Sequence, residues 1–354
     1  MPEKKRVMKA AIFSGIGKIE CREVPIPEIN EREILLRVGA ASICGTDLRI
    51  FKNGHFKIKE GQEIILGHEF SGTIWEVGSK VKGFEEGMRV GVAPNIGCGK
   101  CRYCRMGKIH LCRDYDAFGI SINGAFAEYV KIDERAIYQG NIIRINDETS
   151  FDEIALAEPL SCCYNGYESV GTKPGETVLI VGAGPIGALH LQLQRLAGAR
   201  LVMIADLSSE RLRIVERFNP DITIDTSKED LYENVMNYTD GIGADVIITA
   251  CTAPEIQQLS LKMAARLGRI NFFGGLPKGK DEVLLNTNII HYNGLIVTGT
   301  TGASVSQYEK SIKLIESKKV VTKALITRRF KVEQIKDAFE YAGSGEGLKT
   351  VIEF

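Results

Sequence analysis

A strand that runs directly into a glycine-rich turn and a helix constrains the fold of this chain most. The apolar run Val178–Val181 leads into a Gly-x-Gly-x-x-Gly motif, and a helical pattern follows. Gly182 permits the tight turn, Gly184 lets backbone approach a pyrophosphate at the helix N-terminus, and Gly187 allows close helix–strand packing. Asp206 ends the next apolar run, near the expected distance of about 20 residues for an acid that accepts ribose hydroxyls. The sequence therefore predicts a dinucleotide-binding βαβ unit.

The acid at position 206 also bears on the choice of cofactor. Its carboxylate would repel a 2′-phosphate, so we predict NAD rather than NADP. Arg211 has two open interpretations, as a phosphate partner or as a solvated helix residue. The predicted cofactor-binding residues are Gly182, Gly184, Pro185, Ile186, Gly187, Asp206, Arg211, Gly274, Gly275 and Thr300.

Two hydrophobic patterns divide the chain. Up to about residue 157, short alternating runs such as Glu33–Val38 are separated by turn residues, which is typical of a β-rich, barrel-like domain. Between residues 159 and 293, strands alternate with helices, which indicates parallel βαβ units. The first predicted elements there are a strand Thr177–Val181, a helix Pro185–Leu196, a strand Leu201–Ala205 and a helix Ser209–Phe218.

The balance of charge argues against two classes of partner. The 354 residues include 45 Lys+Arg and 45 Asp+Glu, whereas nucleic-acid and anionic-lipid surfaces need a basic excess. The start Met1–Arg6 is charged, and Lys9, Ser14 and Gly15 interrupt the apolar stretch after it, unlike a signal peptide. No run approaches the roughly 20 apolar residues of a spanning helix. We expect a cytoplasmic location, with no nucleic-acid and no membrane partner.

Four of the nine cysteines lie within fifteen residues, at Cys98, Cys101, Cys104 and Cys112. Four thiolates at this spacing can wrap one tetrahedral Zn²⁺ with no open position, which makes a structural site. Iron–sulfur ligation is the alternative. An odd cysteine total without a secretion signal indicates metal ligands plus reduced thiols rather than disulfides.

Three separated segments supply further ligand types. They are Cys44-Gly45-Thr46-Asp47, Gly67-His68-Glu69 and Glu158-Pro159-Leu160. Taken singly, Cys44 has the properties of a small buried hydrophobe, His68 of a core histidine and Glu158 of a helix-start carboxylate. Only their combination indicates a metal site.

Together with Asn123–Tyr129 and the glycine motif, these segments resemble the medium-chain zinc-dependent alcohol and polyol dehydrogenases over essentially the whole chain. The resemblance implies an α/β fold, with a GroES-like β-rich catalytic domain of residues 1–158 and 295–354. A Rossmann domain with a doubly wound parallel sheet would occupy residues 159–294. It also implies two zinc ions per chain and hydride transfer to NAD⁺ from a secondary hydroxyl of a polyol or sugar derivative, giving a ketone.

The resemblance further implies residue roles. Cys44, His68 and Glu158 would hold a catalytic zinc, and Glu69 would be a carboxylate able to join or leave it. A glutamate at 158 resembles the polyol branch, because simple alcohol dehydrogenases carry a cysteine there. The implied catalytic residues are Cys44, Thr46, Asp47, His68, Glu69 and Glu158. Of these, the threonine would hydrogen-bond the reacting oxygen and pass its proton outward, and the aspartate would orient the histidine.

Two departures bear on the substrate. Arg49 stands where many relatives, including threonine dehydrogenases, have a histidine that relays or orients protons, and arginine is no base at neutral pH. His55 is either a substitute or an exposed loop histidine. Residues 300–302 lack the arginine with which mammalian-type sorbitol dehydrogenases contact the polyol. The segment 48–54 is similar to that of bacterial hexitol-phosphate dehydrogenases.

Other functions and the assembly state stay open at this point. A general alcohol or threonine-type dehydrogenase, a metal-free reductase of the superfamily and a non-enzymatic NAD-binding protein are the alternatives. Relatives are commonly dimers or tetramers, and Leu295–Val297 could form an edge strand that invites pairing. We therefore expect a homo-oligomer.

Overall fold

A computed structural model describes residues 7–354, so the charged start Met1–Arg6 lies outside the described residues. Packing divides the chain into two units. The first runs to Ser161 and resumes at Ala303, and the second is Cys162–Gly302. The limits predicted at 158/159 and 294/295 precede these by three and eight residues.

The strands of the described chain are mostly short and are numbered in chain order. They are β1 Val7–Gly15, β2 Lys18–Pro25, β3 Ile34–Ser42, β4 Ile64–Ile65, β5 Glu69–Val77, β6 Arg89–Val92, β7 Asn95–Ile96, β8 Asp116–Ala117, β9 Tyr129–Ile132, β10 Ile142–Arg144, β11 Thr177–Val181, β12 Leu201–Asp206, β13 Ile222–Asp225, β14 Ala244–Thr249, β15 Ala264–Phe272, β16 Ile296–Gly299, β17 Ile326–Lys331 and β18 Lys349–Glu353.

The α-helices are α1 Gly45–Asn53, α2 Arg102–Arg105, α3 Glu134–Tyr138, α4 Phe151–Ala155, α5 Ala157–Val170, α6 Pro185–Leu196, α7 Ser209–Val215, α8 Leu231–Tyr238, α9 Pro254–Met263, α10 Thr287–Asn293, α11 Val305–Glu316 and α12 Ile335–Ser344. Short 3₁₀ turns cover Ile109–Leu111, Glu216–Phe218, Lys323–Leu325 and Val332–Gln334. Within residues 7–354, none of the helices combines the length and the apolarity that crossing a membrane requires.

The first unit is β-rich. Its largest sheet has the strand order β10-β6-β5-β3-β18-β17, and β9 also pairs with β3; a second sheet has the order β2-β1-β4. Alternate residues of β3 and β5 point into an apolar core that includes Leu36, Phe70 and Phe126. The antiparallel register places Ser42 opposite Glu69, so the end of β3 and the start of β5 lie side by side.

The second unit contains one six-stranded sheet of order β13-β12-β11-β14-β15-β16, in which every pairing is parallel. Strand β11 is buried along its whole length, because parallel sheets are covered on both faces. Strand order reverses beside β11, and a crevice for ligands forms at the carboxyl ends of the strands at such a point. Strand β16 belongs to this sheet, since Val297 pairs with Ile270, although the predicted limit at 294/295 had excluded it.

A histidine of helix α6 lies in the interior of the second unit. His190 is fully buried, neither ring nitrogen has a hydrogen-bond partner among the described residues, and its ring meets Phe273 edge-on at 4.8 Å. A Cβ added at Gly166 would lie 3.0 Å from the His190 ring, so the packing there is close. Burial lowers the pKa of His190 to about 3.

This burial predicts a specific acid sensitivity. A histidine whose folded pKa is depressed binds protons preferentially in the unfolded chain, so stability is lost as pH falls below about 6.5. We expect this group to remove about 2 kcal/mol of unfolding free energy between pH 6.5 and 5. Over the same pH range, His190→Leu should lose about 2 kcal/mol less unfolding free energy than the unchanged protein. Urea unfolding followed by circular dichroism measures this difference.

The matched control is His291→Gln, which removes an exposed histidine from the same unit. The pH dependence of this control should follow that of the unchanged protein. If His190→Leu also kept the unchanged pH dependence, this account of His190 would be wrong.

Candidate metal centre and dinucleotide site

Three side chains of metal-ligand type meet at one end of the large sheet. Cys44 precedes helix α1, Glu69 is the first residue of β5, and His68 immediately precedes that strand. Their ligand atoms all lie within 4.8 Å of one another, and His68 and Glu69 are buried. A thiolate, an imidazole and a carboxylate are the donors that zinc takes in proteins. Residues some 25 positions apart thus come together.

Asp47 lies beside the His68 ring. One carboxylate oxygen, Oδ1, faces His68 Nδ1 at 3.4 Å and accepts from the backbone N–H of Gly67 at 3.3 Å. The other, Oδ2, accepts from the backbone N–H of Cys44 at 2.8 Å. Burial alone would lower the pKa of His68, but the charges of Asp47 and Cys44 raise it well above its ordinary value. Asp47 therefore lies on the Nδ1 side of the ring, where metal-bound histidines commonly have a carboxylate, although Nδ1 makes no hydrogen bond among the described residues.

Glu69 is held by a buried cation that sequence reasoning missed. Its Oε2 accepts from the Ser42 hydroxyl and from Lys349 Nζ, and Lys349 also donates to the carbonyl oxygen of Ile43 at 3.0 Å. Burial lowers the pKa of Lys349, but Glu69 and Cys44 raise it above its ordinary value overall. The other oxygen, Oε1, has no hydrogen-bond partner among residues 7–354. No sequence pattern distinguishes Lys349 from an ordinary residue at the start of a strand.

Glu158 lies in the first turn of α5 and is buried, but it is not part of the three-residue group. Its charge contributes to the raised pKa of Lys349, so the carboxylate is within electrostatic range of that group. Glu158 and Tyr308 also line a cavity of about 10 Å³, which has room for one water molecule at most.

Tyr308 is a second residue that sequence reasoning missed as part of this region. It is fully buried, and its hydroxyl has no hydrogen-bond partner among the described side chains and backbone. Burial, followed by the charges of Glu158 and Glu69, raises the pKa of Tyr308. A helical pattern alone predicts only that Tyr308 faces a core.

Thr46 lies in the first turn of α1, half-buried, beside the three-residue group in sequence. Its Oγ1 accepts a hydrogen bond from Arg49 Nη2 at 2.9 Å. His55 is half-buried rather than fully exposed, and its Nδ1 accepts from the backbone N–H of Lys57 at 3.3 Å.

The four-cysteine lobe forms a second cluster, whose Sγ atoms also lie within 4.8 Å of one another. Cys104 Sγ lies 4.0 Å from Cys98 Sγ and 3.5 Å from Cys101 Sγ. Four sulfurs around a tetrahedral zinc would be separated by about 3.8 Å, given Zn–S bonds near 2.3 Å. All four thiols are free, and backbone N–H groups of Lys100 and Cys101 lower the pKa of Cys98 to about 6. The cluster fits a closed zinc site.

The glycine motif follows β11 and opens α6. Gly182 has a φ of +115°, and a Cβ added at Gly187 would lie 1.8 Å from the carbonyl oxygen of Gly182, so both positions need glycine. Gly184 faces open space and caps α6, with Pro185 and Ile186 as the first helical residues. This helix N-terminus is the expected place for a pyrophosphate.

Most of the other predicted cofactor residues also lie at or just after the carboxyl ends of parallel strands. Asp206 ends β12 and accepts from the backbone N–H groups of Ala183 at 2.7 Å and Ser208 at 2.8 Å. Arg211 lies in α7, Gly274 and Gly275 follow β15, and Thr300 follows β16. Thr300 Oγ1 donates to Asn271 Oδ1 at 3.3 Å.

Two family profiles match the chain. The profile of the alcohol dehydrogenase GroES-like domain covers residues 30–142, and that of zinc-binding dehydrogenases covers residues 185–317. The chain is 33% identical to sorbitol dehydrogenase of Bacillus subtilis over 337 residues, which are 95% of this chain and 93% of that protein. It is 34% identical to L-threonine 3-dehydrogenase of Symbiobacterium thermophilum over 335 residues, covering 94% and 93%.

A solved structure agrees with this relationship. A zinc-binding dehydrogenase from Sinorhizobium meliloti, solved bound to NADP, superposes with a TM-score of 0.91 at 30% identity, covering 98% of this chain and 99% of that one. The chain belongs to the zinc-dependent medium-chain alcohol dehydrogenase family, whose members are oxidoreductases. The predicted family and the predicted fold class, a GroES-like domain plus a Rossmann-type parallel sheet, are confirmed.

The buried pair of Lys349 and Glu69 leads to a stability prediction. Lys349→Met should cost about 3–5 kcal/mol of unfolding free energy, because a buried carboxylate is left without its cation. Adding Glu69→Gln removes that charge, so the double variant should be more stable than Lys349→Met alone. Urea unfolding of the four proteins in this double-mutant cycle measures the coupling, with zinc content determined in parallel.

Lys331→Met is the control, since Lys331 makes an exposed pair with Glu353 at 3.7 Å in the neighbouring strand. Exposed pairs contribute at most about 1 kcal/mol. Additive effects of the substitutions at positions 349 and 69 would contradict the coupling.

Proposed function

We propose that this chain oxidises a secondary hydroxyl of a polyol or sugar derivative to a ketone and transfers the hydride to NAD⁺. The observation that supports this most is the group of Cys44, His68 and Glu69, with a carboxylate oxygen of Glu69 left without a partner among the described residues. An open metal site is needed for turnover and has no use in a protein that only binds NAD. The sorbitol dehydrogenase relative supports the polyol class.

The donor set in the first unit fits zinc. Cys44, His68 and Glu158 would hold the ion, and Glu69 would lie close enough to join or leave it. When bound, zinc supplies a Lewis acid and NAD⁺ supplies the hydride acceptor. The four-cysteine cluster would hold a second, structural zinc, giving two per chain.

The side chains around this group have separate tasks in the proposed reaction. Thr46 hydrogen-bonds the reacting hydroxyl and relays its proton to water, because its oxygen accepts one proton as its own O–H gives up another; Arg49 donates to the same oxygen. Arg49 cannot accept that proton at neutral pH. Asp47 holds the His68 ring in one orientation. The buried Lys349 limits how far Glu69 can move.

Asp206 supports NAD as the cofactor. Its carboxylate would accept hydrogen bonds from the two adenosine ribose hydroxyls and repel a 2′-phosphate. The Sinorhizobium meliloti relative was solved with NADP, so both cofactors belong in any assay. Gly182, Gly184 and Gly187 would bring the pyrophosphate to the N-terminus of α6.

We also propose that the chain assembles through the second unit. Strand β16 is the edge of the parallel sheet, and Ile296 on it is 54% exposed. An exposed apolar edge strand invites pairing with another chain. The expected particle in light scattering is a dimer or tetramer, and a monomeric mass would remove this idea.

L-Threonine is the second candidate substrate, because a threonine dehydrogenase is among the relatives. Arg49 argues against it, since a proton-relaying histidine occupies that position in those enzymes. The two candidates differ in a simple assay, because L-threonine carries an ammonium group and polyols do not.

A turnover assay tests the proposal. We expect polyols with free neighbouring hydroxyls to exceed ethanol and unbranched alkanols by about two orders of magnitude or more in kcat/KM, because a polar pocket leaves its own groups unpaired on an alkanol. The panel contains hexitols, pentitols, L-threonine and alkanols, each with NAD⁺ and with NADP⁺. A comparable kcat/KM on alkanols would contradict the polyol assignment, and a preference for NADP⁺ would contradict the role of Asp206.

A further inference from the structure

Strand β15 contains a buried amide where an apolar side chain is expected. Parallel strands covered on both faces are usually continuous apolar runs, yet Asn271 is fully buried in this one. A carboxamide buried without hydrogen bonds costs free energy, so its partners indicate why it is tolerated there. Its Nδ2 donates to Ser169 Oγ at 2.8 Å and to Thr298 Oγ1 at 3.1 Å. Its Oδ1 accepts from Thr300 Oγ1 at 3.3 Å, so the amide joins α5, β15, β16 and the segment after β16.

The hydroxyl protons fix the orientation of this amide. Ser169 donates its proton to a carbonyl oxygen of its own helix at 2.7 Å, and Thr298 donates to the carbonyl oxygen of Ile270 at 3.1 Å. Both hydroxyl oxygens therefore accept from the amide, so we assign Nδ2 to them and Oδ1 to Thr300. Thr300 then points its hydroxyl proton at Asn271. A network in which every proton has an acceptor holds Thr300 more rigidly than one isolated contact would.

A second amide holds the residues that follow Thr300. Asn165 on α5 donates from Nδ2 to the carbonyl oxygen of Gly302 at 3.0 Å and lies 3.5 Å from that of Thr301. Asn165 and Ser169 are four positions apart, so their side chains lie on the same face of α5. This one helix face therefore contributes to holding residues 300–302, which we call the tethered segment. All of these residues belong to the second unit.

The tethered segment lies far along the sheet from Asp206. Asp206 ends β12, whereas the tethered segment follows β16, four strands away in the same sheet. Neighbouring strands are about 4.8 Å apart, so the two strand ends are separated by roughly 19 Å. A dinucleotide binds across the carboxyl ends of such a sheet, with its pyrophosphate at the glycine motif. With the adenosine ribose at Asp206, as in the proposed reaction, the nicotinamide half extends toward β15 and β16.

We infer that Asn271 is a positioning residue, which holds the tethered segment in the shape that receives the nicotinamide half of the cofactor. Asn271 is fully buried, so it acts through Thr300. The adenosine half should not depend on it, because Asp206 is held by separate contacts with the backbone of Ala183 and Ser208. This inference rests on the proposed NAD-linked reaction and extends it to a residue away from the substrate and the metal.

Two ligands test the two halves of the site separately. NADH carries the nicotinamide, whereas ADP-ribose carries the adenosine, the pyrophosphate and the second ribose without it. Both are titrated calorimetrically into the zinc-loaded protein and into Asn271→Leu. The Kd of NADH should rise about tenfold in the variant, the effect of losing one well-placed hydrogen bond. The Kd of ADP-ribose should rise about twofold at most, because independent contacts do not couple.

A second variant covers the case in which Asn271→Leu does not fold. Thr298→Val keeps the side-chain shape and suits a strand, but it removes one acceptor of the Asn271 amide. It should raise the Kd of NADH about threefold, because it removes one hydrogen bond of the network and leaves the others. The Kd of ADP-ribose should stay unchanged.

Thr239→Val is the matched control. It removes a buried hydroxyl from the same unit, where Thr239 Oγ1 donates to the Val235 carbonyl oxygen at 2.7 Å. This residue precedes the amino end of β14, on the opposite edge of the sheet from the tethered segment. The ratio of the two Kd values should match that of the unchanged protein. A selective loss of NADH binding in this control would overturn the inference, because any buried hydroxyl would then have the same effect.

The same titrations distinguish failure of the inference from failure of the proposed function. If the unchanged protein does not bind NADH, the proposed function fails and the inference fails with it. If the unchanged protein binds both ligands, an equal rise of both Kd values in the folded variant, or no rise for NADH, overturns the inference alone. A selective rise for NADH in Asn271→Leu, or in Thr298→Val where the first variant does not fold, supports it.

Discussion

The buried ion pair between Lys349 and Glu69 is the interaction on which the rest of the candidate metal centre depends. Lys349 opens the last strand, whereas Glu69 opens β5, so the pair joins segments 280 residues apart. Lys349 also donates to the Ile43 carbonyl, immediately before Cys44. The centre is complete only when the chain returns after the second unit, which makes these contacts strongly non-local. We expect this buried pair to matter chiefly for the geometry of the centre, because the cost of taking both charges out of water offsets much of their attraction.

Two clusters of ligand-type side chains coexist in the first unit, and their chemistry differs. The four-cysteine cluster uses four thiols of one short segment and leaves no position open to another ligand. The group of Cys44, His68 and Glu69 combines three donor types from two segments and is surrounded by buried polar partners, among them Asp47 and Lys349. The first arrangement suits folding, and the second suits the proposed reaction.

The sequence predictions that agree best with the structure were those based on local patterns. The predicted strand Thr177–Val181 and helix Pro185–Leu196 have the observed limits, because an apolar run and a capped amphipathic helix are encoded in adjacent residues. The predicted helix Ser209–Phe218 finishes as a 3₁₀ turn. The sequence did not predict the long-range features. Lys349 and Tyr308 come near the other site residues only through tertiary packing. The place of β16 likewise depends on pairing with β15, which no local pattern encodes.

The zinc content of Cys44→Ser tests most directly whether the open centre is the reactive one. This variant should keep its fold and its NAD binding, lose one of two zinc ions per chain and lose turnover. Cys101→Ser, measured beside it, should lose the other zinc together with thermal stability, because a closed thiolate site contributes to folding. Two zinc ions retained in Cys44→Ser, or the same loss of folding in both variants, would contradict the account.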